Sequence, residues 1–150
     1  MSMRVLLVAA SLAVALPAMA QPLTPEQAKR FVAGKYFAYT CFEGTSGAGR
    51  IYADGSVVGT IRIGGYGRPR FVALPPGTVK VSPDSVCASV RGIPFSPCFN
   101  VDKTSKTSFR GSISGLGFAY CDFNRRNPRI ELSRTSHPRI RSEVARSEHD

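Results

Sequence analysis

The stretch GRIYADGSVVGTIRI, residues 49–63, decides the fold. Asp54-Gly55 stands between two runs rich in Ile, Val, Thr and Tyr, the strongest short-range signal for a β-hairpin. The dipeptide predicts a two-residue type I′ turn, because Asp and Gly both tolerate the positive φ that this turn needs. Upstream, KYFAYTCF (residues 35–42) puts Phe37, Tyr39 and Cys41 on one face of a strand and Tyr36, Ala38, Thr40 and Phe42 on the other. Aromatic rings at alternating strand positions are expected in the core.

Downstream the same grammar repeats. RFVAL, the Pro75-Pro76-Gly77 turn and TVKVS are followed by SVCASV and PCFNV, then by TSFRGSI and LGFAYCDF joined around Ser114-Gly115. Turn residues recur every ~8–12 positions, the spacing of a small all-β domain. The expected fold is an antiparallel barrel or sandwich of about eight strands. No helical period is long enough for a βαβ crossover, which argues against a parallel sheet, and no internal repeat is present.

Four segments follow. Residues 1–20, MSMRVLLVAASLAVALPAMA, have the basic start, apolar run and Ala18-Met19-Ala20 site of a signal peptide. The run is shorter than the ~20 residues that span a bilayer. Residues 21–34 hold a short helix: Thr24 as N-cap, Pro25 at the first position, Gln27 completing a capping box and Gly34 closing it. Ala28, Phe31 and Val32 form its apolar stripe. Residues 35–123 are the barrel domain. Residues 124–150 carry few large apolar side chains, mixed charge, Pro128 and Pro138, the composition of a basic disordered tail.

Export makes the four cysteines, Cys41, Cys87, Cys98 and Cys121, a disulfide framework with three open connectivities. No pair has the spacing of a zinc knuckle or a Cys-x-x-Cys redox site, so no metal is expected. The formal charge of +10 is spread along the chain. It points to an anionic partner, a polysaccharide or an acidic protein, and secretion counts against nucleic acid as the natural target.

Enzymatic chemistry has little to work with. His137 and His149 are the only histidines, and both fall in the tail, away from any nucleophile. Glu43 and Asp122 remain as a carboxylate pair for a small hydrolase, since Glu43 lies two residues after Cys41 and Asp122 directly after Cys121. Gly64-Gly65-Tyr66-Gly67 lacks the Lys-Ser/Thr ending of a P-loop, and no cofactor is expected. Its neighbours are basic, however: Arg62, Arg68 and Arg70 are suited to bidentate grip on an anion, with Tyr66 as a stacking surface. Arg91 is the fifth candidate, on the proline-stiffened loop between Cys87 and Cys98.

Tyr39-Thr40-Cys41-Phe42-Glu43-Gly44 resembles the first-strand motif of the small exported inhibitors of C-type lysozyme, which are eight-stranded barrels. The resemblance covers the first and last strands. It implies a disulfide between Cys41 and Cys121, where that family places the partner cysteine, and it implies hydrolase inhibition. The family's Ser-Gly-x-x-Tyr loop has no counterpart, since Ser114-Gly115-Leu116-Gly117 leads into Phe118. In the exported setting, Cys87–Cys98 is then the preferred second staple, worth on the order of 3 kcal/mol. The expected function is a non-enzymatic binding module of the periplasm or cell envelope. A hydrolase inhibitor and a carboxylate-dependent hydrolase are the alternatives.

Overall fold

A computed structural model describes residues 19–127 apart from Val90 and Ile93. Most of the signal peptide and all of the tail beyond Asn127 lie outside the described residues. The chain is mostly β, as expected, and all ten strands belong to one antiparallel sheet, so the sandwich alternative does not occur. In chain order the elements are β1 (Gln21–Leu23), α1 (Pro25–Val32), β2 (Tyr36–Cys41), β3 (Ser46–Ile51) and β4 (Val57–Arg62). Then come β5 (Arg70–Leu74), β6 (Val79–Val81), β7 (Val86–Ala88), β8 (Cys98–Lys103), β9 (Ser108–Ile113) and β10 (Leu116–Arg125).

The sheet order is β5-β4-β3-β2-β10-β9-β8-β7-β6, curled into a half-barrel. β1 was not expected within residues 21–34. It pairs with β8 at Val101, Asp102 and Lys103, along the edge that β7 leaves free after Phe99. Both sequence-derived cysteine pairings are present. Cys41 faces Cys121 across β2 and β10, and Cys87 faces Cys98 across β7 and β8, each pair bonded.

The hairpin at Asp54-Gly55 forms, but with a different turn. Gly55 N–H donates to the Tyr52 carbonyl and Tyr52 N–H to the Ser56 carbonyl, which leaves a three-residue loop with Gly55 at φ +80°. Only Gly55 needs the left-handed region in this arrangement. Asp54 stabilises it from the side: its carboxylate accepts Ser56 N–H at 2.9 Å and Ser56 Oγ–H at 2.7 Å. Those bonds hold the Asp54 carboxyl below its ordinary pKa. Their contribution is therefore present at neutral pH and is lost as pH falls through the depressed value.

Helix α1 has the capping box in full. Gln27 N–H donates to Thr24 Oγ1 at 3.3 Å, and Thr24 N–H donates to Gln27 Oε1 at 2.9 Å. At the other end Gly34 adopts φ +74°, and Lys35 Nζ donates to the Arg30 and Phe31 carbonyls that the helix leaves open. Replacing Thr24 by alanine should cost about 1 kcal/mol, read as a lower urea midpoint with an unchanged slope.

The helix rests on the concave face. Val32, Phe37 and Phe109 are buried there, with Phe31, Ile51, Val101 and Phe123 packed around them. Phe109 and Phe123 stack at 4.4 Å, and Phe37 meets Phe109 edge-on at 5.1 Å. Tyr39 lies beside Phe123 on the same face, where burial pushes its phenol pKa up. Strand alternation puts Gly47, Gly49 and Gly59 on this face too. A Cβ on Gly59 would lie 2.7 Å from Gly49 Cα. The β3–β4 pair bends inward because those positions carry no side chain.

Candidate functional site

Alternating strand directions bring the β2–β3 turn, the β4–β5 loop, the β7–β8 loop and the β9–β10 turn to one end of the sheet. Contacts link them into a rim. Gly64 N–H donates to Thr45 Oγ1 at 3.0 Å, Phe42 N–H to the Tyr120 carbonyl at 3.0 Å, and Ser114 N–H to the Cys98 carbonyl at 2.8 Å.

The predicted binding residues lie on this rim in two groups. Arg62 ends β4, Tyr66 and Arg68 stand in the following loop, and Arg70 begins β5; all four are exposed. Arg91 is exposed on the β7–β8 loop, at the other extreme of the rim. Between them lie side chains that the aromatic-core expectation did not place here. Phe42 is 53 % exposed and Phe118 68 %, their rings edge-on at 6.1 Å. Ile63, Phe71 and Phe95 extend the apolar surface along both loops. Of the chain's large side chains, few are enclosed, because a half-barrel has one concave face and most outward strand positions meet water.

The outer face next to the rim holds one ion pair, Arg110–Asp122, which is the single pair among the described residues. Arg110 Nε and Nη2 donate to the two Asp122 oxygens at 2.7 and 2.9 Å, and the guanidinium covers the Tyr120 ring at 3.9 Å. These bonds raise the already high Arg110 pKa. Both side chains are 43 % exposed, so the pair is worth at most about 1 kcal/mol. Its chemical effect is larger: the Asp122 carboxylate proposed to work with Glu43 is fully engaged by Arg110. The tyrosines do not assemble into a platform, since Tyr39 turns inward while Tyr66 and Tyr120 face outward on separate elements.

A second basic surface lies at the opposite end. Lys35, Arg50, Arg125 and Arg126 line a cleft of about 540 Å³ with no acidic residue among its walls. Backbone bonds fix it: Arg125 N–H donates to the Thr107 carbonyl and Arg126 N–H to the Tyr36 carbonyl, at 2.8 and 2.9 Å. Sequence reading missed this group because it ended the domain at Phe123 and assigned both arginines to the tail. The unbroken alternation from Tyr120 to Asn124 was the signal that β10 runs on.

Inside the curl is an apolar chamber of about 710 Å³. Val32, Val79, Val86, Phe99, Val101 and Phe109 are among its walls, and Cys121 and Phe123 close its β10 side. Lys29 of α1, Asp54 of the hairpin tip and Lys80 and Ser82 of the β6 edge border it where solvent enters. No protein-family model, curated protein or solved structure matches the chain.

Proposed function

We propose that this chain is an exported, non-enzymatic binding module of the periplasm or cell envelope that engages an anionic glycan or an acidic partner through its rim. The observation that carries this reading is the β4–β5 loop. Arg62, Arg68 and Arg70 stand within nine residues, all exposed, none in an ion pair among the described residues, and Tyr66 between them is 86 % exposed. Guanidinium groups without an internal partner favour planar anions held by paired hydrogen bonds, and a neighbouring ring adds a stacking face for a sugar. The leader-like first 20 residues and the two disulfides support export.

Elution from immobilised dextran sulfate tests the reading. Binding should weaken with salt, because exposed charges are screened over ~8 Å at physiological ionic strength. The triple variant Arg62→Ser, Arg68→Ser, Arg70→Ser should elute at clearly lower salt than the parent. Unchanged elution would remove the rim from the reading, and loss confined to Arg125→Ser with Arg126→Ser would move the site to the opposite cleft.

A second reading, a secreted inhibitor of a hydrolase, draws support from the Cys41–Cys121 bond beside the Tyr39–Gly44 motif. It predicts saturable loss of lysozyme activity near one-to-one stoichiometry. A target that is itself basic would meet repulsion from a +10 protein, so the inhibition should strengthen as salt rises.

A further inference from the structure

We propose that the chamber is a second, separate binding site, and that its occupant is a single-chain anionic amphiphile of the fatty-acid type. It lies inside the curl, whereas the rim is built from loops at one end of the sheet, so the two readings stand or fall independently. Its volume of about 710 Å³ falls in the range of roughly 300–1,000 Å³ typical of small-ligand sites. Its walls are aliphatic and aromatic, and among the described residues no buried side-chain polar atom lacks a hydrogen-bond partner. Such walls offer an acyl chain dispersion contacts and offer a polar molecule nothing in exchange for its water.

Polarity is confined to the border, and its charge selects the head group. Lys29 borders the opening from α1 and Lys80 stands on the β6 edge beside it, on the strand face opposite Val79 and Val81, and neither ammonium has a hydrogen bond or ion pair among the described residues. The one bordering carboxylate, Asp54, is already engaged by Ser56 N–H and Oγ–H. A carboxylate or phosphate at the mouth would therefore meet free cations, with the acyl chain directed inward. The disulfides hold the strands around this space: Cys121 is in its wall through the bond to Cys41, and Cys87 through the bond to Cys98.

The purified chain is titrated with 11-(dansylamino)undecanoic acid, whose emission rises when it leaves water, and the probe is then displaced with dodecanoic acid or 1-dodecanol. One-site saturation is expected. Ala88→Trp and Val81→Phe, which add bulk inside the chamber, should each weaken binding by about tenfold, since the added ring takes the space of the chain's wall contacts. The sequence contains no tryptophan, so Ala88→Trp also reports by its own emission whether the ring is out of water. Lys29→Gln with Lys80→Gln should weaken dodecanoic acid by about tenfold and leave 1-dodecanol unchanged, because only the acid loses charge-assisted bonds. Absence of saturable binding overturns the proposal, as does full binding by a folded Ala88→Trp or Val81→Phe variant. An acid preference that survives both lysine replacements overturns the head-group assignment. Binding gained only when Ile130, Leu132 and Ile140 become serine would give the chamber to the chain's own C-terminal segment. Binding seen only on dilution to monomer would give it to a second copy.

Discussion

Gly47→Ala should leave the protein unfolded or close to it. Gly47 lies on the concave side of β3, opposite Ile61 of β4 and Tyr39 of β2. An added Cβ would come within 2.0 Å of the Thr60 carbonyl oxygen, 2.7 Å of Tyr39 Oη and 2.9 Å of Tyr39 Cζ. The Thr60 oxygen belongs to backbone in the β3–β4 ladder, so it cannot step aside without loss of strand pairing. Tyr39 is held as well, since its hydroxyl donates to that same Thr60 carbonyl at 3.3 Å. Ordinary overpacking costs ~1–3 kcal/mol. A clash with fixed backbone should exceed that range, out of the ~5–15 kcal/mol that stabilises a typical domain. The control is Gly117→Ala, where a Cβ meets nothing within 4 Å. Urea unfolding followed by circular dichroism decides: equal midpoints for the two variants would refute the close approach at Gly47. Tyr39→Ala should not rescue Gly47→Ala in full, because the carbonyl contact remains.

The second large effect is loss of the Cys41–Cys121 bond. It joins β2 to β10 across a sequence separation of 80 residues. In the chain-entropy model a loop of that size is worth about 4.5 kcal/mol, against about 3 kcal/mol for a bond closing a loop as short as the 11-residue separation of Cys87 and Cys98. Replacing Cys41 and Cys121 by alanine should therefore lower stability by more than replacing Cys87 and Cys98. Both losses should appear in the urea midpoint of the oxidised proteins. The reverse order would mean that native contacts, rather than restriction of the unfolded chain, decide what each bond contributes. In that case the β7–β8 pairing, with only Val86↔Phe99 and Cys87↔Cys98 in register, would be the element that fails first.

Local chemistry explains which features were legible in advance. The capping box at Thr24 and Gln27 and the glycine turns act within a few residues, so the sequence displays them directly. The inward set Phe37, Tyr39 and Cys41 follows from strand alternation alone. β1 was hidden because Gln21-Pro22-Leu23 has no pattern of its own; it is a strand only because β7 ends early and leaves the edge of β8 open. The turn at Asp54-Gly55 was misjudged because the sequence did not show that Tyr52 and Ser56 would close it.

For the candidate sites the division is the same. Arg62, Tyr66, Arg68 and Arg70 are neighbours in sequence and were found together, whereas Arg91 reaches the same end only through strand directions. The general expectation that alternating aromatics lie in the core did not reveal that Phe42 and Phe118 are exposed, because exposure depends on which face of the sheet is covered. The chamber could not be anticipated, since it depends on how far ten strands curl and on the missing side chains at Gly47, Gly49 and Gly59.

Where the curl stops has a consequence for motion. β5 and β6 follow one another in the chain but do not pair, and they are the two ends of the sheet. Beside helix α1, two backbone bonds tie the β3–β4 hairpin tip to the start of β6: Gly77 N–H on the Asp54 carbonyl at 2.8 Å and Val79 N–H on the Gly55 carbonyl at 2.9 Å. The container is latched by two amides at a hairpin tip. Releasing them breaks no strand pairing and no disulfide, so the hairpin tip and the β6 edge can part while the rest of the sheet stays paired. Deuterium should enter the Gly77 and Val79 amides well before those of β9 and β10, and an occupant inside should slow them.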